Sequence, residues 1–333
     1  MANVLVTGGA GFIGSHVADA LIARGHRVTV LDDLSGGYRE NLPPAAAFIQ
    51  GSITDAGLVE GLFRDNSFDF VFHLAAYAAE GLSHFIKRFN YTNNVLGSVT
   101  LINASVNTGV KGFIFTSSIA VYGASPELPM TEEMPPRPED SYGIAKFAVE
   151  QELAASHRVF GLPYIVFRPH NVYGPRQNIA DPYRNVVGIF MNQILRGRPM
   201  TVFGDGSQTR AFSFIGDVAP VIADSIGHRA CWNEVYNIGA DEPVSLNALA
   251  EAVASAMGAH PVTEHLPPRS EVVHAYATHR KVRETFGAGP QTTLQDGLAS
   301  MAVWVKRHGA RETTPFRAIE IEKNLPDIWK SQK

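Results

Sequence analysis

Three glycines separate an apolar strand pattern from a helix pattern near the start of the chain, in the segment VLVTGGAGFIGSHVADALIARGHRVTVLDD. The first three letters are typical of a buried parallel strand, and apolar residues at helical spacing follow from Phe12. Gly8 allows a tight turn, Gly11 lets backbone approach a pyrophosphate, and Gly14 lets the helix pack against the strand. Free N–H groups at the helix N-terminus add positive partial charge for phosphates. The segment therefore predicts a dinucleotide-binding site.

A carboxylate closes the second strand pattern, RVTVLD. Asp32 in this position can accept hydrogen bonds from the adenosine ribose hydroxyls, and its charge would repel a 2′-phosphate. The sequence therefore predicts NAD, rather than NADP, as the cofactor.

Strand and helix patterns alternate through the first half of the chain, as a doubly wound parallel sheet requires. The predicted strands are residues 4–7, 28–32, 47–50, 70–74, 112–117 and 164–168. The predicted helices are residues 12–24, 56–64, 85–107 and 142–160, with two later ones at 246–257 and 293–308. We expect an α/β fold: a Rossmann-type doubly wound parallel sheet in residues 1–170, joined by some later segments, and a smaller C-terminal α/β substrate-binding lobe, mainly residues 171–333.

Composition limits the partners. Twenty-eight basic and 32 acidic residues give a net charge of −4 without a basic run, which argues against nucleic acid. The single Cys231 excludes an internal disulfide and suits a reducing compartment. The chain has no secretion-signal pattern or membrane-length apolar stretch, and its histidines lack metal-ligand spacing. We therefore expect a cytoplasmic protein with no membrane partner and no metal.

A tyrosine and a lysine lie one helical turn apart in SYGIAKFAVEQ, where Tyr142 and Lys146 are at positions i and i+4. A tyrosine hydroxyl has a pKa of about 10, too high for it to accept a proton readily at neutral pH. The lysine ammonium and the nicotinamide charge would both favour the phenolate, and Ser118 at a strand end can share a hydrogen bond with the same substrate hydroxyl. These residues form a candidate acid/base site.

With these motifs, the chain resembles the extended short-chain dehydrogenase/reductase superfamily, specifically its nucleotide-sugar epimerase and dehydratase branch, over nearly its whole length. TGGAGFIG is similar to the family's cofactor turn, LDDLSGG to its ribose and phosphate loop, HLAA to the strand end beside the nicotinamide ribose, and NNVLGS to the helix start that supports the active site. The resemblance implies that Ser118, Tyr142 and Lys146 form the catalytic triad. The NAD contacts that we predict on this basis are Gly8, Gly11, Phe12, Ile13, Gly14, Asp32, Asp33, Ser35, Ser52, Ile53, Leu74, Ala75, Ala76, Asn94, Ser117, Tyr142, Lys146 and Pro169.

Three further segments resemble the family's substrate-binding motifs. RPHNVYGP implies that Asn171 meets the diphosphate of a nucleotide sugar, GDGSQTRAFSFIGDVA implies the same for Arg210, and LPPRSEV suggests a second diphosphate or ribose contact at Arg269. The predicted substrate contacts are Glu80, Ser118, Tyr142, Asn171, Val187, Arg210 and Arg269. Glu80 and His84 face either the sugar or solvent, and His170 is either a substrate contact or a hydrogen-bonded interior histidine, the latter being slightly favoured.

The chain departs from the family pattern at informative positions. Ser52 stands where the family usually has an aspartate that holds adenine. Ile119 and Ala120 stand where the 4,6-dehydratases carry Asp-Glu, and two apolar side chains cannot supply the acid and base that elimination of water requires. The resemblance and this departure together disfavour dehydration.

The expected function is therefore 4-epimerisation of a nucleotide sugar through a transient 4-keto intermediate, with UDP-glucose and UDP-galactose as the leading pair. UDP-glucuronate or a UDP-N-acetylhexosamine is the runner-up substrate. A reductase, synthase or decarboxylase of the same family, and a non-catalytic NAD sensor, are the alternatives. The resemblance also suggests a homodimer in which helices at 94–107 and 142–160 pair across a two-fold axis, although both helices can equally belong to the core.

Overall fold

A seven-stranded parallel sheet forms the centre of the protein. The structure is a computed structural model that describes residues 1–269, 271–287, 289, 291–313, 316 and 318–330. The strands in this part of the chain are β1 Asn3–Thr7, β2 Arg27–Asp32, β3 Ala47–Gln50, β4 Phe70–His73, β5 Gly112–Thr116, β6 Tyr164–Pro169, β7 Val172–Tyr173, β8 Met200–Phe203, β9 Thr209–Ala211, β10 Ser213–Phe214, β11 Glu234–Ile238, β12 Pro243–Ser245, β13 Thr263–Leu266 and β14 His274–Ala275. The sheet order is β11-β6-β5-β4-β1-β2-β3. Strand order reverses between β1 and β4, as in doubly wound folds, and the predicted fold class is confirmed.

Helices cover both faces of this sheet. The α-helices in the described residues are α1 Phe12–Ala23, α2 Ala56–Asp65, α3 Glu80–Ser83, α4 Lys87–Tyr91, α5 Gly97–Thr108, α6 Ser141–Phe160, α7 Val186–Leu195, α8 Ile215–Asp224, α9 Leu246–Met257, α10 Arg280–Phe286, α11 Leu294–His308 and α12 Asp327–Lys330. Among the residues that the structure describes, no helix combines the length and the hydropathy that crossing a bilayer requires.

The side chains of β1 alternate between two cores because successive strand residues point to opposite faces. Val4 and Val6 pack with α1 and α8 on one face, whereas Leu5 packs with α2, α5 and α6 on the other. A third buried cluster lies outside the sheet, where Phe190, Leu249 and neighbours on α7, α9 and α11 pack together. Strand β11 returns to the edge of the sheet beside β6. The proposed division near residue 170 remains a prediction.

Most predicted elements, including the helix at 85–107, are present within one or two residues of their expected ends, but this helix is not α-helical throughout. This segment contains α4, a π-helical stretch Thr92–Leu96 and α5. The wider π turn rotates the side chains that follow it, and such turns are frequent at functional sites. The predicted helix at 293–308 begins one residue later, because the Thr293 side chain accepts a hydrogen bond from the Asp296 N–H and so acts as the N-cap.

Candidate active site

A cleft of about 590 Å³ opens at the carboxyl ends of the parallel strands, beside the reversal between β1 and β4. It contains most of the predicted site residues. Those that line it are Gly8, Gly11, Phe12, Ile13, Gly14, Asp32, Asp33, Ser35, Ser52, Ile53, Leu74, Ala75, Ala76, Glu80, Ser117, Ser118, Tyr142, Lys146, Pro169, Asn171, Arg210 and Arg269. The chain thus brings residues from both halves to one surface, while their individual roles remain predictions.

The glycine turn forms one end of the cleft. Gly8 has φ +73°, and a Cβ there would lie 2.7 Å from the Ala75 nitrogen, so only glycine fits between β1 and the end of β4. The backbone N–H of Gly11 donates to the Gly8 carbonyl at 3.0 Å, closing the turn. In the described residues no side chain caps α1, which leaves its first N–H groups available to an anion.

Asp32 lies at the end of β2 beside this turn. Its Oδ2 accepts a hydrogen bond from the Ala10 N–H at 3.0 Å, and its Oδ1 accepts one from the Leu34 N–H at 2.8 Å. Burial raises the pKa of Asp32, while these backbone hydrogen bonds oppose the rise. The carboxylate is therefore held in one orientation at the cleft wall, with further lone pairs free to accept.

Tyr142 and Ser118 meet in the middle of the cleft. The Ser118 side chain hydrogen-bonds to the Tyr142 hydroxyl and is itself fixed by the Ala120 N–H, which donates to Ser118 Oγ at 3.1 Å. Burial raises the pKa of Tyr142, and the charge of Glu80 adds to the rise, while the Ser118 hydrogen bond lowers it. The two hydroxyls thus lie together in the cleft.

Lys146 lies beside Tyr142 on α6, and its ammonium is hydrogen-bonded to the backbone of β5. Its Nζ donates to the Thr116 carbonyl at 2.7 Å and lies 5.7 Å from the centre of the Tyr142 ring. Burial lowers the pKa of Lys146 to about 7, against the opposing charge of Glu150. Because Tyr142 keeps a raised pKa in this arrangement, lowering it requires a further positive charge in the cleft.

A buried ion pair between Arg168 and Glu150 lies beside Lys146. Glu150 lies one turn after Lys146 on α6, and its carboxylate accepts from Arg168 Nε at 3.0 Å and from Arg168 NH2 at 2.5 Å. Ser117 Oγ donates to the same carboxylate at 2.5 Å. The network joins α6 to the ends of β5 and β6, so the face of α6 that carries Lys146 is fixed relative to the sheet.

Glu80 lies next to the predicted catalytic tyrosine. Ser83 Oγ donates to the Glu80 carbonyl at 2.6 Å and accepts from the Tyr142 N–H at 3.1 Å, which fixes α3 against the start of α6. The Glu80 side chain is open to the cleft, but the surrounding protein displaces bulk water from it. This desolvation raises the pKa of Glu80 to about 7, and the nearby charge of Asp140 adds to the rise.

The predicted diphosphate contacts lie on the opposite side of the cleft. Asn171 has φ +40°, and its Nδ2 donates to the Ala211 carbonyl at 3.1 Å. Arg210 NH1 donates to the carbonyls of Thr209 and Val273 at 2.9 and 2.8 Å. Arg269 NH2 forms a 3.0 Å ion pair with Glu271. The two guanidinium groups are therefore held by the chain before any anion binds.

Two predicted contacts do not face the cleft. Asn94 lies in the π-helical stretch, is buried, and brackets the backbone of Tyr77: its Oδ1 accepts from the Tyr77 N–H at 2.9 Å and its Nδ2 donates to the Tyr77 carbonyl at 3.1 Å. It therefore supports the loop that lines the site. Val187 is buried in the cluster on α7, and its neighbours Val186 and Ile189 line the cleft instead, because the helix turns Val187 inward.

Sequence reasoning missed several cleft residues. Arg184 lies there, donates from Nε to Asp181 Oδ2 at 2.6 Å, and has its guanidinium 4.9 Å from the centre of the Tyr77 ring. Asp140 also lines the cleft and caps α6 by accepting from the Gly143 N–H at 2.8 Å. An arginine or aspartate in a loop has no periodicity, so only the three-dimensional arrangement identifies them. His84 and His170, which the sequence indicates as candidate substrate contacts, also line the cleft.

The C-terminal segment backs the same region. Trp329 on α12 is buried against Tyr183 and Phe85, at ring-centre distances of 5.3 and 6.1 Å. A Cβ on Gly81, next to Glu80, would lie 3.4 Å from the Trp329 ring. Glu320 caps α4 by accepting from the N–H groups of Arg88 and Phe89, each at 2.9 Å. The end of the chain thus stabilises the wall that carries Glu80.

Comparisons with known proteins agree with this geometry. A family model described as the NAD dependent epimerase/dehydratase family matches residues 4–239. A UDP-glucose 4-epimerase of Mycolicibacterium smegmatis is 38% identical over 306 residues, 89% of this chain and 96% of that protein.

Two solved structures share the fold over most of the chain. A UDP-glucose 4-epimerase from Thermotoga maritima, solved with UDP-glucose, has a TM-score of 0.87 and 37% identity, covering 92% of this chain and 99% of that one. A Thermus thermophilus UDP-glucose 4-epimerase in complex with NAD has a TM-score of 0.84 and 35% identity, covering 91% and 98%. The chain described here belongs to the NAD-dependent epimerase/dehydratase family.

Proposed function

We propose that this protein is an NAD-dependent nucleotide-sugar 4-epimerase that interconverts UDP-glucose and UDP-galactose. The observation that carries the proposal is the placement of Ser118, Tyr142 and Lys146 in the same cleft as the glycine turn at one end and Arg210 at the other. Most of the residues predicted to hold a dinucleotide and most of those predicted to hold a nucleotide sugar thus line one cleft on either side of the tyrosine.

The residues at the glycine turn fit NAD. Uncapped N–H groups at the start of α1 suit the pyrophosphate, and Gly8 and Gly11 leave backbone where a side chain would obstruct it. Asp32 suits the adenosine ribose. When bound, NAD supplies a reversible acceptor for the hydrogen on C4 of the sugar and a positive charge on its nicotinamide ring.

The chain's own residues handle the proton. Tyr142 accepts the proton of the C4 hydroxyl and later returns it, while Ser118 orients the same oxygen. Lys146 donates a hydrogen bond to the Thr116 carbonyl and so links α6 to the end of β5. The keto sugar rotates within the site between the two proton transfers, and this rotation inverts the configuration at C4.

The cleft wall after β5 supports epimerisation over dehydration. Ile119 and Ala120 both line the cleft and neither side chain carries a proton to exchange. The carboxyls nearest to the tyrosine, Glu80 and Asp140, come from other elements. Asp140, and Glu80 in its ionised form, would repel a uronate carboxylate, so we propose UDP-glucose ahead of UDP-glucuronate.

Incubation with UDP-glucose, UDP-galactose, UDP-glucuronate and UDP-N-acetylglucosamine, followed by chromatography and mass spectrometry, tests the reaction. We expect UDP-glucose to give a product of unchanged mass. Because Tyr142 exchanges only an O–H proton, no solvent deuterium is expected at C3 or C5 in heavy water. Loss of water would indicate a dehydratase, loss of carbon dioxide a decarboxylase, and net consumption of reduced cofactor a reductase. Each of these outcomes contradicts the proposal.

Cofactor choice provides a separate prediction. A 2′-phosphate would lie close to the Asp32 carboxylate, and the repulsion is worth on the order of 1 kcal/mol or more in a partly desolvated site. We expect NADP to bind at least about fivefold more weakly than NAD in a calorimetric titration. Asp32→Asn is expected to narrow this difference in affinity, whereas Asp65→Asn, at an exposed position outside the cleft, leaves it unchanged. Equal affinities for NAD and NADP in the unmodified chain would contradict this placement of Asp32.

We also propose a cytoplasmic homodimer. Leu96, before α5, and Ile144, on α6, are apolar and exposed by 54% and 42%, and Phe160 at the end of α6 is exposed by 65%. Pairing of these helices across a two-fold axis would cover this surface. The single free thiol of Cys231 supports the cytoplasmic location.

A further inference from the structure

Two buried histidines face each other beside the cleft. The Nε2 atoms of His170, which follows β6, and His279, which precedes α10, are 3.0 Å apart. The rings are nearly parallel, at 16°, with their centres 5.0 Å apart. Both residues are almost inaccessible to solvent, so the contact between the two nitrogens must be satisfied within the protein.

The outer ring nitrogens determine what the facing ones can do. His170 Nδ1 lies 3.0 Å from the Ala211 carbonyl, which can only accept, so this nitrogen carries a hydrogen. His279 Nδ1 lies 2.7 Å from Asp241 Oδ1. Although burial alone raises it, hydrogen bonds from His279 and Arg283 bring the pKa of Asp241 down to about 2, so Asp241 is ionised and accepts. His279 Nδ1 therefore also carries a hydrogen.

Two neutral imidazoles in this arrangement would place two lone pairs against each other at 3.0 Å. We propose that His170 and His279 share one additional proton between their Nε2 atoms, and that this buried cationic pair positions Asn171 and Arg210 in the cleft. With that proton, each of the four ring nitrogens makes one hydrogen bond.

Neighbouring charges place the proton on His279. In the described part of the chain, the charged groups that face the pair are Asp241, which contacts His279, and Arg283, which forms an ion pair with Asp241. Burial, with the charge of His279 as a second cause, lowers the pKa of His170 to about 3. His279 is thus the donor and His170 the acceptor. The series of hydrogen bonds runs from Arg283 on α10 through Asp241 and the two histidines to Ala211 on β9.

The pair acts on the site through one carbonyl. Ala211 O accepts from His170 Nδ1 and also from Asn171 Nδ2 at 3.1 Å. Ala211 directly follows Arg210 on β9, so the same hydrogen bonds fix the strand that carries the arginine. Asn171 has φ +40°, which costs energy and persists only where the surroundings hold it. His170 and His279 are therefore positioning residues, and this role depends on the proposed function of Asn171 and Arg210 as diphosphate contacts.

The shared proton is directly observable in the full-length chain by proton–nitrogen correlation of the imidazole rings. At about pH 8 an ordinary histidine, with a pKa of about 6.5, is neutral and has one bare ring nitrogen. We expect one histidine with both nitrogens protonated at that pH, and a strongly deshielded Nε2–H. The signal is lost in His279→Gln and kept in His260→Gln, which changes an exposed histidine. If every histidine ring of the unmodified chain is neutral at this pH, the proposal is wrong. This outcome does not depend on the folding of any variant.

Positioning predicts a KM effect rather than a kcat effect. In His279→Gln we expect the KM for UDP-glucose and the Kd for UDP to rise about five- to tenfold, with kcat within about twofold, because a hydrogen bond to a charged group is lost away from the reacting atoms. His260→Gln is expected to match the unmodified chain in both constants. An unchanged Kd for UDP in a folded His279→Gln variant would overturn the positioning role. If UDP binding depends on His279 while no UDP-sugar is converted, the proposed function fails and the positioning role stands.

Discussion

We expect Tyr142→Phe to lower kcat for UDP-glucose epimerisation by about two to four orders of magnitude, the usual contribution of a positioned acid/base. The substitution removes only the hydroxyl, and the buried ring keeps its packing. Because the hydroxyl acts on the reacting oxygen, KM is expected to change little. Initial rates at saturating and limiting substrate, together with UDP titration, separate the two constants.

A second buried tyrosine provides the matched control. Tyr122 OH accepts from Arg168 NH1 at 2.7 Å and donates to Asn237 Oδ1 at 2.8 Å, away from the reacting centre. Tyr122→Phe should lower the thermal midpoint, since it leaves two buried polar groups unpaired, but keep kcat within a few-fold. A Tyr142→Phe enzyme with nearly normal turnover, or equal losses of kcat in both variants, would contradict the assignment of Tyr142 as the acid/base.

The sequence predicts the site best where the chemistry depends on local spacing. The turn from Gly8 to Gly14 and the i, i+4 pair of Tyr142 and Lys146 each lie within one short segment, so their geometry follows from a turn or a helix. Asp32 is similar, because its position at the end of β2 places it at the carboxyl edge of the sheet.

Prediction fails where an orientation depends on long-range packing. The π-helical stretch Thr92–Leu96 turns Asn94 toward the Tyr77 backbone, and no periodicity in the sequence indicates an extra residue in that turn. Val187 and Val186 are adjacent and alike in composition, yet only Val186 lines the cleft. Burial and Glu80 raise the pKa of Tyr142, and the i, i+4 spacing from Lys146 gives no indication of either cause.

The glycine turn offers a second prediction of large effect. Gly8 and Gly109 have nearly the same φ, +73° and +70°. A Cβ on Gly109 would meet nothing within 4 Å, whereas a Cβ on Gly8 would lie 2.7 and 2.8 Å from the Ala75 nitrogen and Cα. Alanine at either position destabilises the fold by about 1 kcal/mol because of the positive φ. Only Gly8→Ala adds a collision with backbone, which destabilises the fold by about 1–3 kcal/mol more.

We therefore expect Gly8→Ala to lower the thermal midpoint by several degrees more than Gly109→Ala, and to abolish most of the additional stabilisation that NAD gives the unmodified chain. The second effect follows because relief of the collision must separate β1 from the end of β4, where the pyrophosphate would bind. Gly109 lies at the C-terminus of α5, so Gly109→Ala should keep the full response to NAD. Thermal denaturation of both variants, with and without NAD at saturating concentration, measures the two effects together. If Gly8→Ala keeps a normal response to NAD, the pyrophosphate does not lie on this turn, and the cofactor would have to occupy a different part of the cleft.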